Sequence, residues 1–310
     1  MPEPALSSRI VAVVVTFNRR ALLERLLIAL RRTPHLSEIV VVDNASSDGT
    51  AGWVREAARD PGVPLHLVAL SSNTGGAGGF HTGMLTALER GADLVWLMDD
   101  DGVPDEDCLE RLLPLVVDGY EFVGPVVVTE GREDELVFPI RLPGTARVLK
   151  RLDDVAAAAR HGVLDKVVIP FNGVLLTSDL IRRIGTAEAK YFIWGDDVEY
   201  LWRAQQAHAR IATVADARFL HPSVGELGTP MAFGQTYNHS PSELKAYCMA
   251  RNNVVNLRTY RGPLHALAFV AKTVWFYLFT RPDLTRLRLS LGAMRDGWRG
   301  RWGRHERYLR

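Results

Sequence analysis

Two stretches of this chain carry carboxylates in patterns that can do chemistry. The first is LVWLMDDDGVP, residues 94–104, where a short apolar run ends in Asp99, Asp100 and Asp101. Three adjacent anions repel one another, and a buried anion is costly unless paired. A hard divalent cation, Mg²⁺ or Mn²⁺, relieves both problems by taking one or two protein carboxylates and completing its shell from substrate phosphates and water. A solvated acidic turn is the plain alternative. The second stretch is YFIWGDDVEY, residues 191–200, in which aromatic and apolar residues lead into Asp196, Asp197 and Glu199. Apolar walls raise a carboxylate's pKa, which suits a general base. Capping of the following helix by Asp196 or Asp197 is compatible with that role, since one residue can cap while its neighbour faces the substrate. A lone histidine is more often structural than a ligand, but if the carboxylates hold a metal, His221, fixed in an extended approach by Pro222, is the best neutral nitrogen to join it.

The elements that must position these groups alternate between strand and helix. Residues 10–15 (IVAVVV) read as a buried strand, followed by the Thr16–Arg20 loop residues and a helix over 21–32. Residues 39–42 form a second strand closing on Asp43, and the Ser46–Thr50 segment is a turn that caps a helix running to about Arg59. Residues 65–70 form a third strand and lead into Asn73-Thr74-Gly75-Gly76-Ala77-Gly78-Gly79, a loop before a helix over 80–90. The fourth strand is the one that ends in the Asp triplet. This alternation predicts an α/β fold with a mixed, mostly parallel sheet flanked by helices. Asn18, Asp43 and the triplet then sit at strand ends, where such sheets bind ligands. Asp43 can accept hydrogen bonds from a ribose or base, or simply brace its own turn. The glycines permit close backbone approach to a diphosphate. They form neither a Rossmann fingerprint, because His81 stands where the third glycine belongs, nor a Walker A loop.

Further along, residues 105–117 read as a helix and 120–128 as a strand broken at Gly124-Pro125. Residues 129–164 read as an irregular excursion, 167–177 as a strand with a turn or bulge at Asn172-Gly173, Ser178 as a helix cap, and 211–215 as a short last strand. The boundary falls after residue 225. Residues 226–310 are helical, with a strongly apolar segment at 264–280. From Arg281 onward nine arginines face three acidic residues, with Trp298 and Trp302 among them. That pattern suits an amphipathic helix on an anionic membrane surface, with a helical pair that covers the sheet and keeps a solvated basic face as the plain alternative.

The 310 residues carry a net charge of +1, so no global field points to nucleic acid. Cys108 and Cys248 match no metal or redox spacing and read as free thiols. The first residues contain no signal-peptide pattern, and no apolar run reaches the roughly 18 residues of a membrane span.

Taken together, VVVTFNR, VVDNASSDGT, the strand ending in Asp-Asp-Asp and the later Gly-Asp-Asp resemble glycosyltransferase family two, whose members have the GT-A fold. Asn73–Gly79, the Trp96–Asp101 stretch, Trp194–Glu199 and His221-Pro222 are similar to motifs of the galactofuranosyltransferases of galactan synthesis. The resemblance implies that Thr16, Asn18, Arg19 and Asp43 contact uridine, while Asn73, Gly78 and Gly79 line the nucleotide-sugar pocket. It implies that Asp99 and Asp101 hold Mn²⁺ or Mg²⁺ with His221, and that Asp100 lies near the donor sugar or ribose. Asp197 becomes the base, with Asp196 and Trp194 shaping the acceptor site. Gly195, between the tryptophan and the acidic pair, departs from the family pattern and keeps Asp196 as an alternative base. The implied reaction is an inverting transfer of galactofuranose from its UDP donor to a polyprenyl-diphosphate-linked saccharide. It would take place in the cytoplasm, at the inner face of the cell membrane, in cell-wall or surface polysaccharide synthesis. A rhamnosyltransferase using dTDP-rhamnose shares much of the pattern. A nucleotidyltransferase and a non-catalytic nucleotide-sugar-binding scaffold are the readings from other classes. The sequence is also compatible with a homo-oligomer.

Overall fold

The computed structural model describes residues 8–225 and 228–309. The first four strands are β1 (Ile10–Thr16), β2 (Glu38–Asp43), β3 (Leu65–Ala69) and β4 (Leu94–Asp99). They pair in parallel in the order β3-β2-β1-β4. β1 and β2 are buried along their whole length, as continuous β-branched runs require. The helices α1 (Arg20–Leu30), α2 (Thr50–Ala57) and α3 (Gly75–Glu89) connect them. α1 buries Leu23, Leu26, Leu27 and Leu30, one helical stripe.

After the short β5 (Val103–Pro104) and α4 (Cys108–Val117), β6 (Phe122–Thr129) runs unbroken through Gly124-Pro125. The expected break is absent because the irregularity falls on the strand's partner. β11 (Ile211–His221) pairs with β6 in parallel and shifts register between Val214 and Arg218, next to the proline that cannot donate. The last strand is therefore longer than 211–215 and ends on His221. The stretch read as irregular forms β7 (Arg132–Arg141), β8 (Val148–Arg151), α5 (Leu152–Ala158) and β9 (Val163–Asp165). It closes its own apolar cluster of Leu136, Ile140, Leu149, Val155 and Leu164 against Val126 and Val128. β10 (Asn172–Thr177) inserts antiparallel between β4 and β6, with the expected bulge at Gly173. The sheet is thus mixed, with a mostly parallel half. Helix α6 (Ser178–Ile184) is capped by the Thr177 hydroxyl rather than Ser178, whose own hydroxyl donates to Ala92 O. Gly49, at φ +84°, precedes α2 with no side-chain cap.

The chain forms two compact units. One comprises the residues up to Ala187 and Arg203–Ser223; the other comprises Glu188–Trp202 and the residues from Val224 on. A single cut after residue 225 therefore misses one exchange. The first seven residues of α7 (Asp196–Gln206), which carry the acidic pair, belong with the C-terminal helices. Those helices are α8 (Glu243–Tyr260), α9 (Pro263–Trp275), which ends in a π-helical turn over Phe276–Thr280, and α10 (Leu284–Trp298). Their core packs Phe192 with Tyr247, Cys248, Val254, Ala266, Ala293 and Met294. Among the described residues no helix is long and apolar enough to cross a membrane.

Candidate active site

In the first unit, the ends of β1, β4 and β11 bring five of the expected residues into one chain of contacts. The Thr16 hydroxyl donates to Asp100 Oδ2 at 2.7 Å. Arg19 Nη1 donates to Asp100 Oδ1 at 3.2 Å and to Asp101 Oδ2 at 2.8 Å. His221 Nε2 stands 3.2 Å from Asp101 Oδ1. Two close approaches make this possible. A Cβ at Gly102 would meet Phe219 Cε1 at 2.0 Å, and one at Gly173 would meet Phe219 Cδ2 at 2.6 Å. Only with glycines there can β5 pair with β11 at Phe219 and Leu220, which draws the triplet up to His221.

The charges in this cluster answer one another. Burial pushes the Asp100 carboxyl up, against the opposing pull of Thr16 and Arg19. Burial acts the same way on Asp101, but His221 and Arg19 outweigh it and hold that carboxyl below its usual range. The Arg19 guanidinium is raised: burial works against it, but Asp100, Asp101 and Asp99 together prevail. His221 Nδ1 lies 2.7 Å from Pro222 O, so that nitrogen carries a proton and Nε2 is the one presented to Asp101.

Asp101 and His221 thus form a carboxylate–imidazole pair, donors suited to Mn²⁺ or Mg²⁺. Among the described residues no group of three His, Cys, Asp or Glu side chains surrounds one point. The expected trio with Asp99 therefore reduces to two preassembled donors, with Asp99 at the end of β4 adding its charge around Arg19. A two-donor site fits an ion that draws the rest of its shell from a diphosphate and water.

The remaining first-unit candidates brace turns. Asp43 Oδ1 accepts from Ser46 N at 2.9 Å, and Asn18 Oδ1 accepts from Ser47 N at 2.7 Å. Asn73 Oδ1 accepts from Gly75 N at 2.8 Å. The glycine run is not a loop but the first turns of α3. Its glycines are set by packing: a Cβ at Gly79 would stand 2.4 Å from Val15 Cγ1, and one at Gly83 2.2 Å from Val13 Cγ1. At Gly78 the Cβ would meet Thr74 Oγ1 at 2.4 Å. Asn44, to which the sequence reading gave no role, locks the entry to α3. Its Nδ2 donates to Gly75 O at 2.8 Å, and its Oδ1 accepts from Thr74 N at 2.8 Å.

The second unit holds the other acidic group. Asp196 and Glu199 are buried at the start of α7, and Asp197 is half-buried between them. Burial pushes both aspartates up, and Asp197 adds its repulsion to Asp196. Glu199 is paired with the Tyr260 hydroxyl at 2.5 Å, which marks it as structural. Trp194 is exposed, at φ +70°. Trp302, expected on a membrane-facing tail, instead packs within this unit. Its ring lies against Tyr191, with the Arg251 guanidinium 5.0 Å from its centre.

Residues 11–163 match the sequence profile of Glycosyl transferase family 2. The chain is 32% identical to galactofuranosyltransferase GlfT1 of Mycolicibacterium smegmatis, across 94% of this chain and 97% of that one. It is 29% identical to GlfT1 of Mycobacterium tuberculosis, across 96% and 98%. An undecaprenyl-phosphate mannosyltransferase of Micrococcus luteus is 37% identical over 35% of this chain and 44% of its own. Among solved structures, GalNAc-T7 with UDP, GalNAc and Mn²⁺ superposes with a TM-score of 0.60 at 14% identity, over 81% of this chain and 48% of that one. The mannosyltransferase PcManGT of Pyrobaculum calidifontis, in complex with GDP-Man and Mn²⁺, gives 0.56 at 20% identity, over 94% and 76%. These two likenesses establish a GT-A glycosyltransferase fold.

Proposed function

This chain belongs to glycosyl transferase family 2 and is a glycosyltransferase; from that premise we propose that it transfers galactofuranose from UDP-galactofuranose to a polyprenyl-diphosphate-linked saccharide. The observation that carries the reading is the end-to-end likeness to a galactofuranosyltransferase, which includes the C-terminal helices as well as the sheet. The mannosyltransferase likeness, to an enzyme named for undecaprenyl phosphate, supports a lipid-linked acceptor.

The first unit binds the donor. Asp43, Asn18 and Asn73 hold the strand-end turns on which the uridine rests, and Thr16 and Arg19 fix the orientation of Asp100 beside the sugar or ribose. Asp101 and His221, with Asp99 nearby, are the residues that would hold Mn²⁺ or Mg²⁺. When bound, such an ion neutralises charge gathering on the departing diphosphate. In the second unit Asp197 takes the proton from the acceptor hydroxyl as that oxygen attacks the anomeric carbon. The bond to the UDP oxygen breaks as the new glycosidic bond forms, with inversion. Asp197 fits this task better than Asp196, because it is the less buried of the two and keeps some contact with solvent. Trp194 offers an exposed ring against which an acceptor sugar stacks.

The partner surface is an anionic membrane. The outer face of α9 and its π-helical turn exposes Leu264, Leu267, Trp275, Leu278 and Phe279, and Leu264 and Phe279 are 77% and 66% exposed. α10 adds Leu284, Leu291 and Trp298 interleaved with the exposed Arg288, Arg295 and Arg299. An apolar face beside a basic one suits insertion among anionic headgroups. The apolar part lies on α9, ahead of the arginine-rich segment.

The test is a donor panel with Mn²⁺ and a lipid-linked disaccharide, following release of UDP or dTDP. Acceptor-dependent turnover of UDP-galactofuranose alone supports the reading. Turnover of dTDP-rhamnose instead moves the donor and keeps the fold.

A further inference from the structure

The segment that delivers Trp194 and the acidic pair to α7 is held in a conformation its own sequence disfavours. Phe192, Trp194 and Gly195 have φ of +67°, +70° and +85°. Bulky side chains avoid the left-handed region, so two such residues in three need outside support. That support comes from three buried polar residues of α8: Arg251, Asn252 and Asn256, exposed by 0%, 0% and 1%.

Their hydrogen bonds fall on nearly every carbonyl of the segment. Arg251 Nη2 donates to Tyr191 O at 2.7 Å. Asn252 Nδ2 lies 3.1, 3.0 and 2.6 Å from the carbonyl oxygens of Tyr191, Ile193 and Trp194. An amide has two protons to offer, so this one is fully spent. Asn256 Nδ2 donates to Gly195 O at 2.7 Å. The opposite ends of both amides are fixed as well. Arg251 Nε donates to Asn252 Oδ1 at 2.8 Å, and the Tyr191 hydroxyl donates to Asn256 Oδ1 at 2.6 Å. Neither amide can flip without losing partners at both ends. Arg251 itself has no carboxylate in hydrogen-bond contact among the described residues. It sits instead on carbonyls, on the Asn252 amide, on His305 Nδ1 at 3.2 Å, and on the rings of Tyr247 and Trp302. A buried cation spent on backbone oxygens is an expensive way to fill a core, which suggests a geometric purpose.

We propose that Arg251, Asn252 and Asn256 are positioning residues that fix the Trp194 ring and the Asp197 carboxylate in the relation needed for acceptor capture and deprotonation. The inference rests on Asp197 being the base. They touch the segment's backbone and act through it.

The test uses the whole 310-residue chain and the variants Asn252→Ala, Asn256→Asp and Tyr191→Phe, with rates expressed per UDP-binding site counted by calorimetry and only for variants whose helical circular dichroism and urea transition match the parent, so that protein misfolded in either unit drops out. Asn256→Asp turns a donor against Gly195 O into an acceptor. Tyr191→Phe removes one hydroxyl and serves if the others fail to fold. The expected result is a fall in kcat of about 100-fold for Asn252→Ala and Asn256→Asp, the scale of an ångström of misplacement. The loss in Tyr191→Phe is several-fold, acceptor KM rises in all three, and donor KM stays within twofold. Unchanged kcat and acceptor KM per binding site in all three, while Asp197→Asn is inactive, overturns the positioning role and leaves the base. Full activity of Asp197→Asn removes the base and the inference with it.

Discussion

Replacing Gly79 with alanine separates two reasons for a glycine at the start of α3. If the glycine serves packing, the cost can be worked out from its neighbour. The new Cβ would stand 2.4 Å from Val15 Cγ1 and 3.2 Å from Cγ2. Carbon contacts are comfortable from about 3.5 Å, so the overlap is roughly 1.1 Å. Val15 sits in β1, flanked by β2 and β4 on both sides, and cannot retreat. Overpacking of this kind costs about 1–3 kcal/mol. Alanine in a helix returns at most about 1 kcal/mol relative to glycine. The net expectation is a loss of about 1–2 kcal/mol, with a weaker grip on UDP because β1 carries Thr16. Val15→Ala clears the space. In that background Gly79→Ala should become neutral or stabilising, a coupling of about 2 kcal/mol, and UDP affinity should return to that of Val15→Ala alone. Urea unfolding and UDP calorimetry on the four proteins decide the matter. A Gly79→Ala protein as stable as the parent, or one with no coupling to Val15, refutes the packing argument. Recovered stability without recovered UDP affinity would instead assign the glycine to backbone contact with the diphosphate.

Four other outcomes follow from the same structure. Burial raises Asp196 and Asp197, and a base works only when deprotonated, so kcat should fall with decreasing pH at values above the roughly 3.9 of a free aspartate; Asp197→Asn should lose that limb together with about 100-fold or more of the rate, read from a pH–rate profile. The same shift means the folded chain keeps protons the unfolded chain releases, so this contribution to stability is complete below the ordinary carboxylate value and fades as pH rises through the raised one. His221→Ala should weaken UDP binding in Mn²⁺ about tenfold or more and change it little in EDTA, as titration calorimetry would measure. Leu264→Asp with Phe279→Asp should abolish co-sedimentation with phosphatidylglycerol vesicles and leave UDP binding intact; a double variant that still sediments would remove α9 as the membrane face.

Legibility in the sequence tracked how locally each feature is determined. β1 and β2 were plain because their β-branched runs allow little else, β4 because a short apolar run is cut off by charge, and the Asp triplet stood out because three anions at a strand end demand a partner. The contact of His221 with Asp101 was suggested by residue type and by the family resemblance, not by anything local in the sequence. What creates it is Gly102 and Gly173 making room for Phe219, a fit between residues from three separate parts of the chain. The strand through Gly124-Pro125 looked broken because the compensating shift lies in β11. The glycine run read as a loop because composition cannot tell a mobile turn from a helix pressed against valines. Asn252 and Asn256 were harder still. Two asparagines in a long helix carry no signal until the carbonyls they serve, some sixty residues earlier, fold against them.

The chain passes from one unit to the other at 187/188, returns at 202/203 and leaves again at 223/224. This bears on how such enzymes can be recombined. A graft of the C-terminal helices from a relative, joined at Ser223, would bring a foreign α8 to a native 188–202 segment. The asparagine and arginine contacts would then depend on two lineages agreeing residue for residue. The transferable module is discontinuous: Glu188–Trp202 has to travel with the helices that clamp it. If the proposed roles hold, acceptor preference would then be inherited as one block, while the sheet of the first unit changes on its own.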